Sequence, residues 1–289
     1  MKQITFCIVT CDAQRIKKFL RHHKSIMTDK RLEFYLHCTK NEIEEVNKFL
    51  KSGPYNLKVF QDDITLKISK KRNMLLNKVT TPFCMLLDDD SFLKTPKKEI
   101  QYILNAIQRH EWILITAEYY NKKRTIVKSP ITFSKYHQGT GIEWNQIFST
   151  KIIREIGGLH EDFGIGAKWK SGEALNLMAK LFSKKYSQAT CGSAKIIHPI
   201  QSPTNLQDSL TKFLLYRYGF GASLSNIRKI IPKPLLIILL FKSIILAPIS
   251  SFTAILRKDI PLFCFKFLSP WFVILGFFRN YYEEKIRKI

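Results

Sequence analysis

Three consecutive acids, Asp88, Asp89 and Asp90, follow a short apolar run that begins at Phe83, directly after a proline. An apolar run of this length next to a breaker predicts a buried strand. Its last residues would lie at the carboxyl edge of a sheet, where open α/β folds bind ligands. Adjacent carboxylates repel one another, and the spacing of Asp88 and Asp90 lets both turn toward one hard cation. The pattern indicates a divalent metal site. A turn in which Asp90 or Ser91 caps the helix after Pro96 is the alternative, although a cap needs only one acid.

Strands and helices alternate on both sides of these acids. Apolar runs predict strands at 4–9, 32–38, 57–60, 112–117 and near 194–197, and helical spacing predicts helices after 12, from 41 (capped by Asn41), at 68–79 and at 96–109. This alternation predicts an α/β fold with a mainly parallel central sheet that helices cover on both faces. The alternation stops after Lys122, and a glycine-rich loop follows at 157–167, before a helix that Ser171 would cap.

The balance of charge restricts the class of partner. The 289 residues include 47 Lys and Arg against 23 Asp and Glu, a formal net charge of +24. Such an excess predicts an anionic partner, and without a zinc-finger or RNA-binding signature an anionic lipid or a phosphorylated substrate ranks before nucleic acid. Six cysteines without a CxxC pair indicate a reducing compartment. The first residues show no signal-peptide pattern, so we expect the catalytic part in the cytoplasm.

The composition changes near residue 235. Apolar runs at 235–249 and 260–278 are interrupted by Lys242, Lys266 and Pro270, so neither is a clean membrane span of ~20 apolar residues. Helices that lie in the membrane interface, or a shallow re-entrant hairpin, fit this pattern better, and a buried soluble helical hairpin is the alternative. We therefore divide the chain into an α/β domain at 1–204 and a basic, apolar, helical and membrane-associated region at 205–289.

Six short motifs, in this order and at these separations, resemble the family 2 glycosyltransferases of the GT-A fold over roughly residues 3–200. Each motif is weak alone, but the set is more specific: Lys71-Arg72-Asn73, Leu86-Leu87-Asp88-Asp89-Asp90, Gly157-Gly158-Leu159-His160-Glu161, Phe163-Gly164-Ile165-Gly166-Ala167, Ser171-Gly172-Glu173 and His198-Pro199.

The resemblance implies transfer of a sugar from a nucleotide sugar, with inversion at the anomeric carbon. Asp88 and Asp90 match the family's DxD pair, which holds Mn²⁺ or Mg²⁺ and the sugar diphosphate. Asp89 takes the variable middle position of this motif and is expected to contact the nucleotide-sugar donor. His198 matches a late histidine that completes the metal or diphosphate site. A histidine that merely ends a strand is the other interpretation of this residue.

The same resemblance implies a nucleotide site. Arg72 and Asn73 match the Arg-Asn pair beside the nucleotide, and an ordinary solvated start of a helix is the alternative. Thr10 and Asp12 end the first strand, where the family holds base and ribose. The family's acidic signature after the second strand is missing here, and Asp63 or its neighbour Asp62 is expected to replace it.

Inversion by direct displacement requires a base for the acceptor's hydroxyl proton. Glu173 matches the first acid of the family's acidic pair, although Ala174 stands where a second acid is common, and a glutamate in a first helical turn is also favoured by the helix dipole. Asp162 and Glu161 are the next candidates. Trp169, and with it Trp144, would flank an acceptor cleft and stack on a sugar, unless these rings belong to the core.

The basic, apolar C-terminal region would hold such an enzyme on the cytoplasmic face of an anionic membrane. The acceptor would then be a polyprenyl-diphosphate-linked or other saccharide, as in bacterial capsule or lipopolysaccharide synthesis. Two other functions remain open. The run at 86–91 also resembles the first motif of haloacid-dehalogenase-type phosphatases, with Asp88 as nucleophile, and a non-catalytic membrane-surface protein with a degenerate site is the third interpretation.

Overall fold

The strands in the described part of the chain form one sheet, with helices on both faces. The computed structural model describes residues 2–10, 12–61, 67–120, 125–129, 131–134, 142–199, 206–246, 249 and 260–286. The described strands are β1 (Ile4–Val9), β2 (Leu32–Cys38), β3 (Leu57–Gln61), β4 (Phe83–Asp88), β5 (Phe92–Leu93), β6 (Trp112–Tyr120), β7 (Thr125–Lys128), β8 (Gln146–Ser149) and β9 (Ala189–Pro199). The described helices are α1 (Ala13–His23), α2 (Lys40–Leu50), α3 (Ile68–Lys78), α4 (Pro96–Ile107), α5 (Thr150–Glu155), α6 (Glu173–Ser183), α7 (Leu206–Ile227), α8 (Lys233–Phe241) and α9 (Ile260–Ile286).

The sheet has the strand order β3-β2-β1-β4-β8-β6-β9-β5, and β7 pairs with β6. The first four strands are parallel, as predicted. The second half is mixed, because β8 runs antiparallel to both β4 and β6, and β5 and β7 are antiparallel to their neighbours. The prediction of a parallel sheet therefore holds for β1 to β4, whose helical crossovers enforce that direction, whereas β6 with β9 is the parallel pair of the mixed second half.

The direction of β9 brings two distant parts of the chain to one edge. β6 is antiparallel to β8, which is antiparallel to β4, and β9 is parallel to β6. The carboxyl ends of β4 and β9 therefore point the same way. Asp88 is the last residue of β4 and His198 is the penultimate residue of β9, so the sheet places both predicted metal ligands at the edge where parallel strands end.

Alternate residues of the central strands supply two apolar cores. Phe6 and Met85 face one core together with α1, α2 and α4. Cys7 and Leu86 face the other core together with α3 and the helices from α5 onward. Because both faces are covered, these strands consist mostly of apolar residues, which is why their positions could be predicted from composition.

The predicted caps of two helices, α2 and α6, differ from those in the structure, whereas α4 begins where the sequence predicts. α2 begins at Lys40 after Thr39, whose backbone N–H and hydroxyl both donate to Glu42, so Asn41 is not the cap. α6 begins at Glu173 after Gly172, whose φ of +102° only glycine adopts readily, so Ser171 is not its cap. α4 begins at Pro96 after Thr95. The acids at 88–90 thus do not cap that helix, and the capped-turn interpretation is wrong.

Three helices dominate the region after residue 205. α7 packs along α9, and α8 leads into a π-helical turn, Lys242–Leu246, that also contacts α9. α9 continues through Pro270. Among the helices in the described ranges, none combines the length and apolar character that crossing a bilayer requires.

Candidate active site

Asp88, Asp90 and His198 converge at the carboxyl edge of the sheet. One ligand atom from each of these side chains lies within 4.8 Å of the others. His198 Nε2 lies 3.1 Å from Asp90 Oδ1. β4 and the turn after it position the two carboxylates, and β9 positions the imidazole. The structure thus brings His198 to two acids that lie more than a hundred positions earlier in the sequence.

Two carboxylate oxygens and one imidazole nitrogen are a donor set that suits Mn²⁺ and is compatible with Mg²⁺. The pKa of Asp88 is raised, first by burial and then by Glu143 and Asp90, against the lowering effect of Arg72. Burial lowers the pKa of His198, but Asp90 and Asp88 outweigh it and raise that pKa. Crowded carboxylates of this kind favour a bound cation, so the residues present fit a divalent metal.

Arg72 is the buried cation beneath this site. It lies in α3, is 1% exposed, ion-pairs with Asp88 and donates from Nη1 to Glu143 Oε1 at 3.1 Å. Burial lowers the pKa of Arg72, but the carboxylates of Asp88, Glu143 and Glu173 raise it by more, so that the net shift of this pKa is upward. Arg72 therefore stays charged and fixes the Asp88 carboxylate.

Glu143 is a site residue that the sequence analysis did not find. It is 7% exposed and lies in a single 3-10 turn, Glu143–Asn145, before β8. Its segment has neither helical nor strand periodicity, so its burial could not be predicted. The one available signal was an acid directly beside Trp144.

The middle acid, Asp89, is held by a residue outside the candidate metal site. Asp89 Oδ2 accepts a hydrogen bond of 2.6 Å from the Thr10 hydroxyl, which ties the end of β4 to the end of β1. Burial raises the pKa of Asp89 to about 6.

Arg15 of α1 lies 3.3 Å from Asp90 Oδ2 and 3.7 Å from Asp89 Oδ1. Asp12 caps α1, since its Oδ1 accepts from the N–H groups of Gln14 and Arg15.

An aromatic ring supports the imidazole of His198. Trp144 is 3% exposed, and its ring stacks on that of His198 with centroids 5.0 Å apart and an interplanar angle of 18°. Tyr119 packs edge-on against Trp144 at 5.6 Å. These contacts restrict the rotation of the imidazole and keep Nε2 directed toward Asp90.

Asn73 holds the glycine-rich loop. Its Nδ2 donates to Leu159 O and to Glu161 Oε1, and its Oδ1 accepts from Leu159 N. A Cβ on Gly158 would lie 2.5 Å from Asn73 Oδ1, so the loop approaches this side chain as closely as glycine allows. Asp162 of the same loop ion-pairs with Lys67 at 3.5 Å.

Glu173, the first residue of α6, carries an unsatisfied carboxylate oxygen. Its Oε2 is buried, and nothing in the described part of the chain hydrogen bonds to it. Gly164, with φ of +103°, packs against this side chain, and a Cβ there would lie 3.2 Å from Glu173 Oε1. Burial, followed by the charge of Glu143, raises the pKa of Glu173 to about 8. A carboxylate with this pKa can accept a proton near neutral pH.

The remaining predicted residues are Trp169, which is buried, and two acids outside the described residues. Trp169 is 2% exposed and packs on Phe163 and Tyr218. Its ring therefore lies in a small buried cluster. Asp63 and Asp62 lie outside the described residues.

The chain shares its fold with solved glycosyltransferases. A mannosyltransferase from Pyrobaculum calidifontis, PcManGT, in complex with GDP-Man and Mn²⁺, superimposes with a TM-score of 0.66 at 11% identity, over 98% of this chain and 88% of that one. A fragment of S. aureus TarS in complex with UDP-GlcNAc gives a TM-score of 0.58 at 13% identity, over 99% of this chain and 92% of that one. No protein-family model matches the sequence, and no curated protein matches it either. At these identities the likeness establishes the fold alone.

Proposed function

We propose that this protein is a metal-dependent glycosyltransferase, which moves a sugar from a nucleotide sugar to a saccharide acceptor with inversion. One observation carries the proposal. Asp88, Asp90 and His198 meet at the carboxyl edge of the sheet, in a fold shared with an enzyme that was solved with GDP-Man and Mn²⁺. That arrangement supports a site for a diphosphate and its cation.

The metal ligands and their supports have separate tasks. Asp88, Asp90 and His198 would hold Mn²⁺ or Mg²⁺, which supplies Lewis-acid stabilisation of the charge that develops on the leaving diphosphate. Arg72 fixes Asp88 from below through its ion pair. The hydrogen bond from Thr10 to Asp89 joins the strand ends beside which the base and ribose would lie.

Glu173 is the proposed general base. The acceptor oxygen bonds to the anomeric carbon as the bond from that carbon to the diphosphate oxygen breaks on the opposite side, and the hydroxyl proton passes to Glu173. The unsatisfied Oε2 and the pKa of about 8 support this role. Asp162 is the weaker candidate, because its carboxylate is already paired with Lys67.

The acceptor is proposed to be a lipid-linked saccharide, such as a polyprenyl-diphosphate-linked glycan of bacterial surface-polysaccharide synthesis. The net charge of +24 supports work at the cytoplasmic face of an anionic membrane. Trp169 stays a predicted acceptor contact, although its ring is buried in this structure.

The donor site is tested by calorimetric titration of UDP and GDP into the protein, with and without Mn²⁺. We expect binding that requires Mn²⁺ and that Asp90→Asn weakens by about tenfold to a hundredfold, since one charged ligand is lost. Glu44→Gln, an exposed acid of α2, is the matched control and should bind like the wild type. Metal-independent binding, or equal binding by Asp90→Asn, would contradict the proposal.

A further inference from the structure

One face of α9 carries a continuous row of exposed apolar side chains. They recur every three or four residues, which places them along a single stripe of the helix. Each is between 51% and 69% exposed: Phe267, Trp271, Leu275, Phe278, Tyr282 and Ile286. Proteins that stay monomeric in water rarely expose an apolar surface of this length. These six residues are called the α9 stripe below.

The opposite face of α9 is packed, so the stripe cannot turn inward. Val273 is buried, a Cβ on Gly276 would overlap the carbonyl oxygen of Tyr218, and a Cβ on Gly221 would overlap that of Val273. Asn280 Nδ2 donates to Ala222 O at 3.2 Å. Close backbone approach of α7 and α9 therefore fixes the rotation of α9 about its axis.

A second exposed apolar row lies on the neighbouring element. Ile237, Phe241 and Ile245 are 65%, 51% and 45% exposed and follow one another at intervals of four residues. They belong to α8 and to the π-helical turn that contacts α9. The exposed apolar surface of this region thus extends beyond one helix.

The charges of this region favour an anionic partner. Glu283 ion-pairs with Lys168 and Arg279, and Glu284 with Arg228 and Lys229, so both acids of α9 are neutralised by cations of the protein itself. Lys233, Lys242 and Lys285 are exposed on α8, the turn and α9. Apolar side chains with a tryptophan and a tyrosine among them, next to cations, match the boundary between lipid headgroups and acyl chains.

The stripe is linked to the candidate site through α7. Ser171 Oγ donates to Tyr216 O at 2.6 Å, and Asn176 of α6 donates to Ser223 at 2.9 Å, so α7 holds the start of the helix that carries Glu173. Lys168, next to Trp169, pairs directly with Glu283 of α9. A surface that docks through α9 therefore lies next to the predicted acceptor side of the site.

We infer that the α9 stripe docks the protein onto the surface of an anionic lipid bilayer, with the apolar side chains inserted to the depth of the headgroup boundary. The purpose of this docking, which is to bring the enzyme to a lipid-linked acceptor, rests on the proposed function. The binding itself does not, because it uses no residue of the metal site. Its failure and the failure of the proposed function can therefore be distinguished.

The test is flotation of the full chain with vesicles, without nucleotide or metal. Equimolar phosphatidylcholine and phosphatidylglycerol vesicles should bind the wild type, and vesicles of phosphatidylcholine alone should bind it much more weakly. The combined variant Trp271→Gln and Leu275→Gln should lose about tenfold in affinity for each side chain. The control Val127→Gln with Ile131→Gln, which changes two apolar side chains exposed to 55% and 47% elsewhere, should bind like the wild type.

Fluorescence supplies an independent measurement of depth. Of the four tryptophans, Trp112, Trp144 and Trp169 are at most 3% exposed, whereas Trp271 is 61% exposed. Brominated lipid should quench the wild type, and Trp271→Phe should bind the same vesicles without that quenching.

Two results would overturn the inference. The first is equal vesicle binding by the wild type and the stripe variant, with equal unfolding transitions. The second is a wild-type dimer that the stripe variant converts to a monomer in sedimentation, which would assign the stripe to a second copy of the chain. Metal-dependent nucleotide binding by the stripe variant, measured in parallel, should stay unchanged in every case.

Discussion

Arg72 is the residue on which the geometry of the candidate site depends most. It is almost fully buried and is paired with both Asp88 and Glu143. Removing one partner from a buried pair leaves an uncompensated charge, which is much more costly than losing a surface ion pair. A lysine could supply the charge but not a planar group that contacts two carboxylates at once. Arg72 thus links α3, β4 and the turn at Glu143.

Glu173→Gln should lower turnover by about 10²- to 10⁴-fold, with nucleotide binding unchanged, because the amide cannot accept the acceptor's proton. Asp162→Asn is the matched control and should keep most of the activity. Loss of turnover in Asp162→Asn together with full activity in Glu173→Gln would assign the base to Asp162 instead.

The pH dependence follows from the same carboxyl group. Burial raises the pKa of Glu173 to about 8, and only the deprotonated form can act as a base. In the wild type, kcat/KM should therefore rise with pH, about tenfold per unit at low pH, and level off above about pH 8. A profile that is flat from pH 5 to about pH 9 would exclude Glu173 as the base.

Trp144→Leu should weaken Mn²⁺ binding about twofold to tenfold, which corresponds to the ~0.5–1.5 kcal/mol of an aromatic stack. The reason is the loss of the ring that orients His198, and Trp144→Phe should recover part of the affinity. In a His198→Ala background the Trp144 substitution should have no further effect on the dissociation constant, measured by titration. A full additive loss there would mean that Trp144 acts on the site by another route.

At the scale of elements, close packing of α7 on α9 determines which face of α9 is exposed. Gly221→Ala adds a Cβ against the carbonyl group of Val273, so the free energy of unfolding should fall by about 1–3 kcal/mol. Gly192→Ala is the control, since nothing lies within 4 Å of a Cβ there, and urea unfolding should show a change of at most about 0.5 kcal/mol. Equal stability of the two variants would contradict the packing described for α7 and α9.

The elements also explain which parts of the site could be predicted. Asp88 follows an apolar strand buried on both faces, so composition alone indicated both the strand and its end. β8 could not be predicted, because it has four residues, two of them polar, and its antiparallel insertion between β4 and β6 depends on tertiary pairing. Glu143 and Trp144 enter the site only because β8 follows them, and so their contacts with Arg72 and His198 were missed.

At the scale of the whole molecule, two surfaces of different chemistry share one framework. The carboxyl edge of the sheet gathers acids in a chain whose net charge is +24, which favours the approach of a diphosphate accompanied by a cation. The α9 stripe gathers apolar side chains among cations. α7 contacts both the start of α6 and the inner face of α9, so it connects the helix that carries the candidate base to the helix that carries the proposed docking surface.

The most direct test of the proposed function is to incubate the protein with a panel of nucleotide sugars and Mn²⁺, and to follow the released sugar by NMR. We expect metal-dependent turnover of one donor, absent in Asp90→Asn, in which the first product has the anomeric configuration opposite to that of the donor. Failure to turn over any donor, with or without Mn²⁺, would contradict the assignment as a glycosyltransferase. Retention of the donor's configuration would contradict the single displacement assisted by Glu173.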